Sequence, residues 1–173
     1  MSSELRVDKI IPTAGVPTGG GGGIVQVKQG STASRVTTSS STFQATNLSV
    51  SITPKFTTSK IYVSVTGDTD TNATTGGAIL TMYRKIGSGS FVNNAPQGGS
   101  DGSAVDANYG FVMVRGFDSR NQNPTCISQL DAPNTTSEVT YKVYIRSMPS
   151  GTVKFPSHDG YQSAFITAFE VSA

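Results

Sequence analysis

The side chains that could perform catalysis are few and scattered along the chain. The single histidine, His158, lies in the polar stretch 156–160 beside Asp159, and a Ser/His/Asp site would have to be built around it. A histidine in a turn next to an aspartate is the simpler interpretation. The single cysteine, Cys126, has Ile127 and Leu130 as neighbours, which predicts a small buried hydrophobic side chain rather than a reactive thiol.

The carboxylates include one candidate metal-binding loop, but no two of them stand out as a catalytic pair. Asp68, Asp70 and Asn72 have the spacing that starts an EF-hand loop, but Ala73 replaces the usual glycine and Ile79 the usual glutamate. We therefore predict no metal site and no cofactor. The carboxylates that could cleave a glycan in pairs all lie in or beside predicted turns: Asp68, Asp70, Asp101, Asp106, Asp118 and Asp131. Because nothing selects two of them, we predict a protein without enzymatic activity, and a glycan-degrading enzyme is the least favoured alternative.

Composition and charge narrow the class of protein. Hydrophobic residues make up 35% of the 173 residues and charged residues 14%, while glycine occurs 19 times, which favours an all-β domain with many turns. The net charge of +2 comes from scattered lysines and arginines, so we expect no nucleic-acid partner. No apolar run reaches the length of a membrane helix, and the N-terminus lacks the apolar core of a signal peptide. We expect synthesis in a cytoplasm without export and no membrane insertion.

Alternation of apolar and polar residues defines the strands that must position these side chains. Residues 48–53 and 60–65 each place apolar side chains on one face and polar ones on the other. Pro54 ends the first segment because it has no amide donor. We predict that the two segments form a hairpin across residues 54–59, at the core of an antiparallel sheet.

Further strands are predicted almost to the end of the chain, separated by turn signals. They comprise residues 24–29, 35–43, 78–86, 109–117, 125–130, 138–146, 152–155 and 164–171. Residues 67–77 and 93–107 are predicted to be long loops, and residues 118–124 a shorter link. No window has a helical period, so the strands imply a β-sandwich or a β-barrel. Of the two we predict an antiparallel β-sandwich of the jelly-roll type. Exposed aromatic side chains could stack on a sugar, and the candidates are Tyr109, Phe117 and Tyr161, although core positions are the simpler interpretation.

The first 23 residues differ from the rest and are predicted to form an arm. The segment 5–11 is apolar enough to grip a surface, and residues 19–23 are consecutive glycines that would act as a flexible tether. Fully extended, the arm could reach roughly 70 Å. We predict a docking arm at 1–23, followed by one domain at 24–173. The docking side chains are Leu5, Val7, Ile10 and Ile11, and the tether is Gly19, Gly20, Gly21, Gly22 and Gly23.

Several of these segments, in this order, carry a family resemblance. They are Ile24-Val-Gln-Val, Leu48-Ser-Val-Ser-Ile-Thr-Pro, Ser59-Lys-Ile-Tyr-Val-Ser-Val, Leu130-Asp-Ala-Pro, Thr140-Tyr-Lys-Val-Tyr and Ile166-Thr-Ala-Phe-Glu-Val. The set resembles a β-domain of tail-fibre-like proteins of tailed bacteriophages, of the marine and cyanophage type, and the segment before Ile24 is similar to the one that precedes that domain.

The resemblance implies a virion structural protein located on the phage particle. We expect a small tail-fibre or tip-like module, anchored to other virion proteins of the tail or capsid by its arm and associated as a homotrimer. Host recognition would use the two long loops, against a host-surface glycan or protein. The candidate recognition residues are Asp68, Asp70, Asn72, Asn93, Asn94, Asp101 and Asp106. The alternative is a capsid decoration or fibre protein with a mainly structural role.

Overall fold

The fold was analysed in a computed structural model that describes residues 23–72, 76–95, 110–116, 120–148, 151–157 and 161–172. These residues form eleven strands. They are β1 (Ile24–Thr32), β2 (Val36–Thr38), β3 (Gln44–Ile52), β4 (Lys60–Thr71), β5 (Gly77–Ile86), β6 (Val92–Asn93), β7 (Val112–Arg115), β8 (Asn121–Asp131), β9 (Val139–Ser147), β10 (Val153–Phe155) and β11 (Ala164–Val171). The described residues contain no helix, and therefore none that could span a bilayer.

The strands form two antiparallel sheets that pack face to face. In sheet A, β11 lies between β1 and β4, and β8 pairs with the other edge of β4. Beyond the end of β11, β10 pairs with β4, and β2 pairs with β10. Sheet B has the order β3-β9-β5, with β6 and β7 both on the far side of β5. The long strands pair from the outside inwards: β1 with β11, β3 with β9, β4 with β8 and β5 with β7. This nested pairing is that of a jelly roll, so the predicted fold class is confirmed.

The predicted alternation decides which side chains enter the core. Every second residue is buried between the sheets throughout β9 and β11, in β3 from Thr46 and in β4 as far as Val65, as a side-chain period of two requires. Tyr141 and Phe155 are the largest side chains that are fully buried there. The intervening residues face outwards, so each sheet has one outer face that is available for contacts.

The predicted hairpin between residues 48–53 and 60–65 is wrong. Both segments are strands, but β3 belongs to sheet B and β4 to sheet A, so residues 54–59 cross from one sheet to the other. Alternation shows which face of a strand is apolar, and an apolar face points into the core equally well from either sheet. The partners of β3 and β4 are remote in sequence.

Four local predictions are also corrected. The loop predicted at 67–77 is largely strand, because β4 continues to Thr71 and β5 starts at Gly77. The link predicted at 118–124 ends in strand β8, which tolerates Pro124 because it lies at a sheet edge. Cys126 is exposed rather than buried, because it faces outwards opposite Thr66. The predicted strand at 35–43 is reduced to the three residues of β2.

A polar network lies at the boundary of the core. The hydroxyl of the buried Tyr141 donates to Asp131 Oδ2 at 2.6 Å, and Arg84 Nη1 contacts both oxygens of Asp131 at 2.7 and 2.9 Å. Burial, and then the hydrogen bond to Asp131, raises the pKa of Tyr141 well above its ordinary value. The three side chains tie β9 and β5 of sheet B to the end of β8 in sheet A.

The buried carboxylate of Glu170 holds the crossing link 54–59 in place. Glu170 on β11 has no solvent exposure. Its Oε1 accepts a hydrogen bond from the backbone amide of Lys55 and its Oε2 accepts one from Gln26 Nε2, both at 2.6 Å. A carboxylate can be buried at tolerable cost only when such donors surround it, so the crossing link 54–59 is fixed against sheet A.

Candidate recognition surfaces

The predicted site residues Asp68 and Asp70 lie on β4, at a gap in sheet A. Along one side of β4, β11 pairs as far as Thr66 and β10 pairs from Asp70 onwards. The connection between β10 and β11 fills the gap with side chains. Ser157 Oγ and Gln162 Nε2 donate to Asp68 Oδ2 at 3.0 and 3.1 Å. Asp68 therefore anchors this connection.

Asp70 is held in an ion-pair cluster. Arg120 Nε and Lys154 Nζ contact its Oδ2 at 3.1 and 3.2 Å, whereas its buried Oδ1 has no hydrogen-bond partner among the described residues. Because Asp70 has no solvent exposure, a bound glycan could not contact it. Asp70 therefore ties β8 and β10 to β4, and it does not form an accessible carboxylate pair with Asp68.

A shallow open groove of about 520 Å³ lies over the same gap. Asp68, Gln122, Gln162 and the partly exposed Phe165 line it, together with Pro124. Amide and carboxylate groups beside an aromatic ring are a polar surface suited to hydroxyl groups.

Among the described residues, no group of three or more His, Cys, Asp or Glu side chains is placed to hold a metal ion.

The other predicted site residues are not brought to this groove. Asn72 exchanges hydrogen bonds with the backbone of Thr152. Asn93 Oδ1 accepts from Thr81 Oγ1 at 2.7 Å, and Asn94 Nδ2 donates to Gln129 at 3.3 Å.

Several predictions fall outside the described residues. They concern Asp101, Asp106, His158, Tyr109, Phe117 and the arm up to Gly22. Gly23, which was assigned to the tether, is the first described residue. Its amide donates to Ser172 Oγ and its carbonyl accepts from the Ser172 amide at 3.0 Å.

The outer face of sheet A carries a row of apolar side chains that crosses four neighbouring strands. Val27, Phe169, Tyr62 and Leu130 are paired in register on β1, β11, β4 and β8. The rings of Tyr62 and Phe169 are 6.0 Å apart. Val27 is 49% exposed and Leu130 53%. We call these four residues the apolar row; such continuous exposed apolar surface is characteristic of contact sites.

The outer face of sheet B carries a row of aromatic rings from four separate segments. Successive ring centroids are 6.1 Å apart from Phe43 to Tyr83, 3.9 Å from Tyr83 to Tyr144 and 6.1 Å from Tyr144 to Phe91. Burial raises the pKa of both Tyr83 and Tyr144, so both phenols stay protonated and can donate hydrogen bonds at neutral pH. We call these four residues the aromatic row.

The sequence-based search missed both rows. Tyr62, Tyr83 and Tyr144 occupy the polar face of alternating strands, where a large aromatic side chain is unusual, and this signal was available in the sequence. The chosen aromatic candidates were instead the ones in or near predicted loops. Of these, Tyr161 is described, and it is 84% exposed next to the groove residue Gln162.

The fold and these surfaces define a jelly-roll β-sandwich that presents two chemically different outer faces. Comparison of the sequence with protein-family models and with curated proteins finds no match. The function is therefore inferred from the surfaces and from the resemblance of the sequence segments.

Proposed function

We propose that this chain is a structural protein of a bacteriophage particle, a small tail-fibre or tip-like module that contacts the host. It is made in the host cytoplasm and joins the particle through its N-terminal arm. Three copies associate through the apolar row, which leaves the aromatic row and the groove over Asp68 free to meet the host surface.

The apolar row is the observation on which this proposal chiefly rests. Its four members lie side by side on one sheet face, so a flat surface of another copy could cover all of them at once. Burying them would gain roughly 25 cal/mol for each Å² of apolar surface removed from water. Because Tyr62 and Thr66 are four residues apart on β4, the row and the groove are separated by about 13 Å, and a partner on the row need not cover the groove.

The position of Gly23 supports the same arrangement. Gly23 directly precedes β1, the strand that contributes Val27 to the apolar row. The preceding 22 residues therefore join the domain about 13 Å along this strand from Val27, on the side of the row opposite to the groove. Association would bring three arms together, and linked binding segments gain avidity without any new contact. The arm would bury Leu5 and Ile10 on its partner while adding strand hydrogen bonds.

The direct test is whether the chain occurs on particles. Particles from the producing culture are separated on a density gradient, and an antibody against residues 24–173 is used to detect the chain in each fraction. We expect the chain to sediment with particles and to be labelled at the tail in electron micrographs. Absence from the particle fraction would refute the proposal, and labelling over the whole head would favour the decoration alternative.

The arm is tested with a substitution and a matched control. A variant with Leu5→Ser and Ile10→Ser should fold normally but fail to join particles, because it loses the apolar side chains of the arm. The control variant, Thr13→Ala and Thr18→Ala, changes polar residues of the same arm and should join particles like the wild type. Equal incorporation of both variants would show that the arm is not the anchor.

Association is tested by light scattering coupled to gel filtration. The wild type should elute as a trimer, and Val27→Ser with Leu130→Ser should shift the protein towards monomer. The control is Val92→Ser with Met113→Ser, which removes apolar side chains of comparable exposure from sheet B. A monomeric wild type, or equal effects of the two pairs, would rule out the apolar row as the contact.

A further inference from the structure

We propose that the outer face of sheet B binds an anionic polysaccharide through the aromatic row and the cationic side chains of Lys85, Lys142 and Arg146. The inference rests on the host-contact role proposed above and specifies the chemistry of the ligand. It places recognition on a sheet face rather than in the two predicted loops.

Two of the cations lie at opposite ends of the aromatic row. Lys85 Nζ is 5.3 Å from the ring centroid of Phe91, and Arg146 Cζ is 5.4 Å from that of Phe43. Such cation–π contacts hold the charged groups of these side chains over the outermost rings of the row. The third cation, Lys142, is paired in register with Tyr83 in the middle of the row.

Positive charges outnumber negative ones on this face within the described part of the chain. The described ion pairs join Asp70 and Asp131 to Arg84, Arg120 and Lys154, so neither Lys85 nor Lys142 takes part in one of them. Of the described carboxylates, only Glu138 is adjacent to a strand of sheet B, one residue before β9. A ligand that spans the aromatic row would therefore meet positive charge at both ends and in the middle, which requires negative charge on the ligand.

The packing of the rings favours a saccharide over a nucleic acid. Tyr83 and Tyr144 are stacked on each other at 3.9 Å, so no slot is open between them for a base, whose binding depends on stacking against a free ring face. All four rings are partly exposed, and two of them carry a phenol hydroxyl. Partly exposed apolar rings beside hydroxyl groups match a pyranose ring, which has apolar C–H faces and hydroxyl groups at its rim.

The proposal is tested with the purified full-length chain. Binding of alginate and dextran sulfate oligosaccharides is compared with that of neutral dextran of the same length, by calorimetry. We expect binding of the anionic oligosaccharides, weakened as NaCl is raised from ~50 to ~200 mM, and no binding of dextran. The triple variant Lys85→Gln, Lys142→Gln and Arg146→Gln should lose affinity by roughly ten-fold or more, since one exposed ion contact contributes up to about five-fold.

A matched variant controls for net charge. Lys28, Lys55 and Lys60 are exposed lysines outside sheet B, and changing all three to Gln alters the net charge by the same amount. This variant should bind like the wild type. Circular dichroism confirms that both triple variants are folded.

Each other outcome overturns the inference. These outcomes are equal binding of dextran, equal losses in the two triple variants, tighter binding of single-stranded DNA than of alginate, and no binding of either anionic probe. A failure here is distinguishable from a failure of the proposed function, because incorporation into particles is measured separately and does not depend on the aromatic row.

Discussion

Replacing Tyr141 with phenylalanine should remove one hydrogen bond and leave the shape of the core intact. Tyr141 is fully buried, and its hydroxyl donates to Asp131 Oδ2 at 2.6 Å. A hydrogen bond to a charged group contributes about 1.5–3 kcal/mol. Because Arg84 still contacts both oxygens of Asp131, we expect a loss of about 1.5–2 kcal/mol in the free energy of unfolding. For a domain of this size the melting temperature should fall by about 3–8 °C.

The same substitution has a pH dependence whose sign follows from the raised pKa of Tyr141. The unfolded tyrosine loses its proton near pH 10.0, whereas the folded one keeps it to higher pH. The folded state then binds one proton more than the unfolded state, so stability is lost above pH 10 at about 1.4 kcal/mol per pH unit. Tyr141→Phe lacks this contribution, while Tyr83 and Tyr144, whose pKa values are also raised, contribute equally to the loss in both proteins. The advantage of the wild type at pH 8 should therefore be nearly gone at pH 11.

The assay is urea unfolding followed by far-ultraviolet circular dichroism at fixed protein concentration, at pH 8, 9, 10 and 11. Tyr144→Phe is the matched control, because Tyr144 lies on the outward side of the same strand and its hydroxyl makes no hydrogen bond with a described residue. The control should change stability by less than about 0.5 kcal/mol at pH 8. Parallel loss of stability in the wild type and Tyr141→Phe between pH 9 and 11 would refute the reasoning.

Two further substitutions test close packing and the buried carboxylate. Gly30→Ala should destabilise by about 1–3 kcal/mol or more, because its Cβ would lie 2.0 Å from the carbonyl oxygen of Ser49 in the opposite sheet, whereas Gly23→Ala meets nothing within 4 Å and should be neutral in thermal unfolding. Glu170→Gln should cost about 1–3 kcal/mol in urea unfolding, since it weakens two charge-assisted hydrogen bonds. The exposed Glu138→Gln is its control, and equal midpoints would show that burial of the charge is not stabilising.

The sequence was sufficient to predict strands and their buried faces, but it was not sufficient to predict strand partners. The alternation of residues 48–52 and 61–65 identified the buried side chains of β3 and β4 correctly. The same pattern assigned them to one hairpin, which is wrong, because the crossing link 54–59 contains no local signal for changing sheets. Pairing in a jelly roll is decided by contacts between remote segments, such as β3 with β9.

The candidate recognition surfaces were harder to predict for the same reason. The four side chains of the aromatic row come from the segment before β3, from β5, from the segment after β5 and from β9. No window of sequence contains more than two of them, so only the register between strands brings them together. Asp68 and Asp70 were singled out as residues of a recognition loop, whereas they lie on β4. Their hydrogen bonds come from Ser157 and Arg120, whose approach depends on the gap between β10 and β11.

The central position of β11 has a consequence for biosynthesis. In sheet A this strand lies between β1 and β4, and the hydrogen bonds between Gly23 and Ser172 join positions 149 residues apart. A nascent chain must therefore carry β1 and β4 with unpaired edges until β11 has emerged from the ribosome, and open edges invite pairing with other chains. A chain interrupted shortly before Ala164 would keep both edges permanently exposed, so it should accumulate as aggregate rather than as a soluble fragment.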